Sequence, residues 1–593
     1  MHRKKKTTRW SFGMTNQTEH QDISGESLED FDRPVPCSLN FSDAITVEAW
    51  VESDAYQRES LQALVSKWRI TESFDRFDGY DAADTDGLDT RGFFGAVFDG
   101  RYVYFVPQNS GTGSAGRATG HHGKVLRYDT QAEFKAATSW SAFDASETSG
   151  LQTCGYYGAV FDGRHVFFIP RTDGVDLHTR MLRYDTHGEF TSPESWLAHD
   201  VGHAISWQSA AFDGRYIYGC PGYEADRKTD HCAVMLRYDT QSSMTDPESY
   251  VLHDAAGTGG LNLGCFDGAV FDGRYTYFTP LGGVAQALRY DTTGKFTDKS
   301  CWQAFDAREV SGLAMGTCVG AMFDGQYIYY VPYANTVAVR FDTTGDFTDA
   351  DAWSAFDAAG TSGLPASGYD GAVFDGRYIY FIPFWEGDDP GSGFHGNVLR
   401  YDTQGEFSDT SNWRAVDAGK TSGLNTVGFN GGAFDGRFIY MAPWRCGTTA
   451  SGDPIAHGNV LRYDTVGGNA SFSLRAVDLG HNGGLCAAVP GPSFLVNTEN
   501  GVLNVCANRS LSPGRHHLVG VYDGRMMTLY IDGVPVAERS GTGRIQTCDA
   551  DISIGRIQDG LGRFDGRILD VGISTAARDA DWIAIRYHNL SVT

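Results

Sequence analysis

The sequence predicts an all-β protein built mainly as a seven-bladed β-propeller. Three observations carry that expectation: a long internal repeat, the turn chemistry inside it, and an excess of glycine. The string Gly-Ala-Val-Phe-Asp-Gly-Arg-Tyr-x-Tyr-Phe-x-Pro recurs, with variations, seven times. Its central aspartate falls at Asp99, Asp162, Asp213, Asp272, Asp324, Asp375 and Asp435. The intervals are 63, 51, 59, 52, 51 and 60 residues, a period that belongs to repeat architectures. Glycine supplies 73 of 593 residues, nearly twice its usual share of about 7%, and has no collagen period.

Each unit reads as four short strands. Ala-Val-Phe, Asp-Gly and Arg-Tyr-Ile-Tyr-Phe make a hairpin, because Asp-Gly tolerates the positive φ of a tight turn. The closing proline has no N–H to give a ladder, so it ends the second strand. Leu-Arg-Tyr-Asp-Thr is the third strand, at residues 126–130, 182–186, 236–240, 288–292, 399–403 and 461–465, with a varied copy at 339–343. The fourth is Trp-x-x-Phe-Asp-Ala and its variants, as at Trp140, Trp302, Trp353 and Trp413. Four strands in each of seven units describe a propeller. Tyr80-Asp81-Ala82 stands before the first hairpin and matches the fourth-strand element. Supplying it to the last unit closes the ring and leaves no open edge.

The units resemble kelch repeats in their tyrosine–aspartate–tryptophan order. They lack the paired glycines that end the second kelch strand, where this chain has Ile-Pro or Val-Pro. Outside residues 73–467 the repeat stops, and residues 45–51, 64–68, 472–475, 516–524, 529–533, 554–556 and 564–571 read as antiparallel strands with Asp-Gly turns. Ile45-Thr46-Val47-Glu48-Ala49-Trp50-Val51, Ser66-Lys67-Trp68, His516-His517-Leu518-Val519-Gly520-Val521 and Leu529-Tyr530-Ile531-Asp532-Gly533 resemble the laminin-G family of concanavalin A-like domains. That resemblance implies a jelly-roll sandwich formed by residues 36–72 plus 468–593. The propeller, 73–467, is then inserted after Trp68, and residues 1–35 are expected to be a flexible N-terminal tail.

Composition bounds the partners. A net charge of −26 repels phosphate backbones, which argues against nucleic acid. No apolar run approaches the ~18 residues of a membrane span. The basic run Arg3 to Lys6 is followed by no apolar stretch of a signal peptide, although the domain type favours an extracellular or cell-surface site. Eleven cysteines include no C-x-x-C pair, which removes zinc-knuckle and thioredoxin-like readings.

The loops after the second strand vary in length, and variable loops on a regular scaffold are where binding tends to reside. Strand parity puts them on the face opposite the Asp-Gly turns. Two features recur there. His122, His178, His395 and His457 stand five residues before the repeat arginine, with His231 displaced by one. Imidazoles so placed either serve a metal or an anion or cap the start of the third strand. Tyr223, Tyr333, Phe384, Trp385 and Trp444 follow the closing prolines. Exposed aromatics beside Asp, Asn and His suit sugars, whose ring faces stack while hydroxyls take hydrogen bonds.

The leading expectation is therefore a non-enzymatic recognition protein that binds a glycan or glycoprotein through propeller loops, sandwich, or both. One alternative is a carbohydrate-active enzyme at the propeller axis, with Glu224, Asp226, Glu386, Asp388 and Asp389 as candidate carboxylates. The other is a scaffold that docks a protein partner. Acidic loops admit Ca²⁺; no other cofactor is expected.

Overall fold

A computed structural model describes residues 8–14, 17–23, 42–54, 61–111, 120–203, 205–224, 232–281, 285–386, 393–450, 452–478, 491–507, 509–558 and 561–591. Seven four-stranded antiparallel sheets are the blades of a propeller. The first holds Phe93–Phe98, Tyr102–Pro107, Lys124–Asp129 and Trp140–Asp144, from the innermost strand outward. The innermost strands touch in cyclic order. Phe93–Phe98 meets Tyr156–Phe161, then Ile205–Phe212, Phe266–Phe271, Cys318–Phe323, Tyr369–Phe374 and Phe429–Phe434 follow, and the last returns to the first. In the seventh blade Phe77–Asp81 is the outermost strand, pairing with Asn459–Asp464 so that Tyr463 faces Phe77.

The repeated letters are structural. Asp375 accepts the N–H groups of Arg377 (2.8 Å) and Tyr378 (2.7 Å) on one oxygen and the Tyr380 hydroxyl (2.8 Å) on the other. One aspartate thus closes the turn and ties it to the next strand. The second blade has Phe167 where the others have tyrosine, and there the ring of His165 meets Asp162 instead (3.1 Å). In six blades the repeat arginine forks onto the aspartate of the third strand, as Arg377 does on Asp402 (2.8 Å) and Arg101 on Asp129 (2.7 Å). The repeat tryptophan donates its indole N–H to the carbonyl of a phenylalanine six residues earlier, for example Trp413 to Phe407 (2.9 Å).

Apart from four two-stranded hairpins, the remaining strands form a two-sheet sandwich. One sheet runs Gln17–Ile23, Thr8–Met14, Arg567–Ser574, Ile45–Ser53, Gly514–Tyr522, Met526–Ile531, Val534–Ser540. The other runs Gly501–Cys506, Gly491–Thr498, Ala470–Asp478, Gln62–Trp68, Ser553–Ile554. Strands from both ends of the chain are interleaved in each. Val47, Val65, Leu474, Phe494, Leu518 and Leu529 belong to the core between them. Gly520 is required there, because a Cβ at that position would strike the Phe494 ring.

Within residues 1–35, expected to be a flexible tail, the described part contains two strands. Thr8–Met14 and Gln17–Ile23 form a hairpin, and the first of these strands runs parallel to Arg567–Ser574. Without this pairing Arg567–Ser574 would be an edge strand, whose unpaired backbone groups are a template for another strand.

The sandwich packs on the propeller face that carries the Asp-Gly turns. Arg539 reaches the Asp99 carboxylate (3.5 Å) and its backbone carbonyl. Arg437 donates to Asn497 (2.9 Å). Trp68 and Phe74 share one buried cluster with Tyr380, Ile439, Tyr463 and Leu495. The innermost strands begin at the other face.

Candidate functional site at the propeller axis

Every innermost strand carries a two-versus-one bulge near its start. In the first blade Phe93 faces Pro107 and Ala96 faces Phe105, so Phe94 and Gly95 together oppose Val106. The same slip occurs in the other six blades. The second bulge residue has positive φ, as at Gly268 (φ 96), and that is why glycine precedes Ala-Val-Phe in the repeat. A Cβ on Gly268 would also collide with the Gly320 backbone of the next blade, so the strands crowd together at the axis.

The residue before that position differs in almost every blade: Phe94, Tyr157, Gln208, Asp267, Val319, Asp370 and Asn430. All seven are buried. The polar ones reach one another around the axis. Tyr157 donates its hydroxyl to Asp267 Oδ2 (2.9 Å), and Gln208 Nε2 donates to the same oxygen (3.1 Å). Asn430 Nδ2 donates to Asp370 Oδ2 (2.6 Å). The edge of one aromatic ring meets the face of the other where Phe94 packs against Tyr157, with centroids 4.7 Å apart.

Burial pushes the Asp267 carboxyl up to about 7, with Arg171 and the Tyr157 hydroxyl opposing the rise. Asp370 is pushed well above the carboxylate range by burial and by the charge of Asp267, against the pull of Arg171 and Arg445. Both guanidinium groups lie over rings: Arg171 over Tyr157 (4.7 Å) and Arg445 over Trp444 (4.2 Å). Four oxygens of this ring have no hydrogen-bond partner among the described residues: Oδ1 of Asp267, Asp370 and Asn430, and Oε1 of Gln208. An unsatisfied buried acceptor costs on the order of 1–3 kcal/mol, and such atoms ask for a ligand, an ion or water.

Beside this ring lies an aromatic stack from the predicted set. Phe384 stacks on Trp444 (4.9 Å, 28° between planes) and on Tyr333 (6.1 Å, 20°), while Trp444 meets Phe94 (4.3 Å). The expectation of exposed aromatics is corrected here. Phe384 is 1% exposed, and Tyr333, Trp385 and Trp444 are half-buried, because the rings cover one another before they can face solvent. The Tyr223 side chain lies outside the described residues, as do the side chain of Glu224 and the whole of Asp226, Asp388 and Asp389; Glu386 is half-buried.

The histidines are placed differently from a ligand cluster. His122 and His178 put Nε2 within 2.8 Å of the carbonyls of Arg91 and Cys154, and His395 puts its own 3.0 Å from that of Ser367. In all three, and in His457, Nδ1 accepts the N–H two residues on, that of Lys124, Arg180, Asn397 and Asn459. Each ring thus caps its own third strand, and the first three also pin the incoming connection. Burial lowers all four to about 4, so they are neutral near pH 7. His231 lies outside the described residues. No group of three or more His, Cys, Asp or Glu suited to a metal occurs among the described residues.

Sequence reasoning missed Asp267 and Asp370. The signal was present: within an otherwise constant motif, the residue before the bulge glycine is the one that changes.

Parts of the chain are similar to known proteins. Residues 459–584 match the Laminin_G_3 family model, described as the concanavalin A-like lectin/glucanases superfamily. That segment spans strands of both sandwich sheets. The chain is similar to the β-propeller domain of Cps50 (Swd1) from Myceliophteria thermophila, with 7% identity and a TM-score of 0.37, over 64% of this chain and 97% of that one. It is also similar to PpgL, a periplasmic gluconolactonase of Pseudomonas aeruginosa, with 17% identity and a TM-score of 0.37, over 62% and 96%. No curated protein sequence matches the chain. A lectin-like sandwich and a propeller are both scaffolds suited to binding carbohydrate or protein.

Proposed function

We propose that the chain is a non-enzymatic recognition protein that binds a glycan, free or on a glycoprotein, at the axial mouth of the propeller. One observation carries this reading: a stack of aromatic rings, Tyr333–Phe384–Trp444, stands beside a ring of buried oxygens that lack partners. Sugars present apolar faces to rings and hydroxyl donors to such acceptors. The sandwich holds the opposite propeller face, which leaves this mouth uncovered by it. We take residues 73–467 as the propeller and 36–72 plus 468–593 as the sandwich. A glycoprotein ligand fits an extracellular or cell-surface site.

Glycan-array binding by the full chain, compared with a Trp385→Ala/Trp444→Ala variant, tests the reading. Binding that falls roughly tenfold or more in the variant supports it, since a stacking ring contributes at least about 1 kcal/mol. Equal binding by the variant, or none by the parent chain, rejects it.

A hydrolytic reading has one observation behind it. Asp267 is held near neutrality beside a second carboxyl that is pushed higher, a relation that suits acid–base work. Release of reducing ends from any array ligand, lost in Asp267→Asn, would favour it over recognition alone.

A further inference from the structure

We propose that the axial ring holds one hard divalent cation, of the Ca²⁺ or Mg²⁺ class, ligated by Asp267, Asp370, Asn430 and Gln208. This deepens, and rests on, the reading of the axis as the binding site. The observation is a donor set. Four side chains, each more than nine-tenths buried, stand at equivalent places on innermost strands. Each keeps one oxygen without a partner among the described residues. Their other polar atoms are spent on one another and on Tyr157, which turns Asp267 Oδ2 and Asp370 Oδ2 away from further work.

A proton neutralises a carboxylate and supplies one O–H donor per carboxyl, which meets one acceptor at a time. Arg171 and Arg445 supply positive charge nearby, yet both lie over aromatic rings. A cation with several oxygen ligands serves all four at once. The set contains no nitrogen donor, and the neighbouring Cys220 is a buried thiol that donates to the Gly268 carbonyl (3.4 Å) and is pushed well above its ordinary pKa by burial. Oxygen-only sites favour Ca²⁺ or Mg²⁺ over zinc or copper. The charged and titratable groups facing the pair are Arg171, Arg445, Tyr157, Tyr333 and Cys220. The three neutral members, Tyr157, Tyr333 and Cys220, are all pushed upward by burial, so none competes for the cation as an anion.

The test is calorimetric titration of chelator-stripped full chain with CaCl₂ alone, and then MgCl₂ alone, with no glycan present. The expected result is a single equivalent bound, weakened roughly tenfold or more by Asp267→Asn and by Asp370→Asn and unchanged by Asp306→Asn at an outer strand. The titration of the unaltered chain is the primary readout and is independent of whether a variant folds. Absence of binding by both cations at millimolar concentration overturns the proposal. So does binding that both substitutions leave unchanged. Because no glycan is used, a failed cation site leaves the glycan reading to its own array experiment, and the reverse holds as well.

Discussion

Tyr157 and Asp267 stand on innermost strands two blades apart, and the tyrosine hydroxyl donates to the carboxylate at 2.9 Å. With Gln208 between them donating to the same oxygen, the bond spans three neighbouring blades at one end of the axis. A side chain of the second blade therefore helps set the charge state of the fourth.

The raised pKa of Asp267 fixes a pH prediction. A carboxyl that is harder to ionise when folded keeps its proton between its unfolded pKa and about 7. Its contribution to stability is present at low pH and is lost as pH rises through that window. Asp267→Asn removes this loss. The stability of the variant relative to the parent chain should rise between pH 5 and pH 8, by on the order of tenfold or more in the folded-to-unfolded ratio. Denaturant unfolding of both proteins in chelator across that range checks it; a constant difference contradicts it.

The four capping histidines act with the opposite sign. Their folded pKa of about 4 lies below the ordinary value of 6.5, so the unfolded chain takes up protons first as pH falls. Stability is intact above about pH 6.5 and declines toward pH 4. His178→Asn should cost about 1–3 kcal/mol at pH 7 and flatten the acid decline. Glycan binding should be unaffected, because this ring is spent on Cys154 and Arg180.

Tyr380→Phe tests the turn aspartates. The substitution leaves Asp375 Oδ2 without its hydroxyl donor in a site that is 6% exposed. A loss of about 1–3 kcal/mol in unfolding free energy is expected, with normal β-sheet circular dichroism. A change below the error of denaturant titration would contradict the assigned role.

The sandwich offers an independent test at its helix. Buried Glu48 bonds His517 Nε2 (3.0 Å) and Arg586 (2.9 Å), and Trp50 stacks on both His517 (4.6 Å) and Tyr587 (5.6 Å). Arg586 and Tyr587 lie on α1 (Ala580–Ser591), the one helix longer than a single turn among the described residues. Arg586→Met strands the Glu48 charge and should cost about 2–4 kcal/mol. Hydrogen exchange of α1 should accelerate before that of the blades.

Most of the architecture was legible because it rests on local chemistry repeated seven times. Asp-Gly turns, closing prolines and the Trp–Phe spacing each leave a mark within a dozen residues. The sandwich was legible only through resemblance, since Val47 and Leu518 meet across more than 400 residues of sequence. The hairpin at 8–23 left no such mark, being held by backbone pairing to an edge. The site was hidden for another reason. Repeats draw attention to what stays constant, whereas Asp267 and Asp370 occupy the position that varies, and only closure of the ring brings those variable residues together. The aromatics were found, but Phe384 was misjudged as exposed because nothing local reveals that rings from three blades stack.

The central claim is that the ligand sits at the axial mouth and not on the sandwich. Hydrogen exchange of the full chain, with and without a glycan that binds on the array, tests this most directly. The account predicts protection at residues 333–334, 384–386 and 444–446, with the sandwich strands unchanged. Protection confined to the sandwich, with those three segments unaltered, would contradict it.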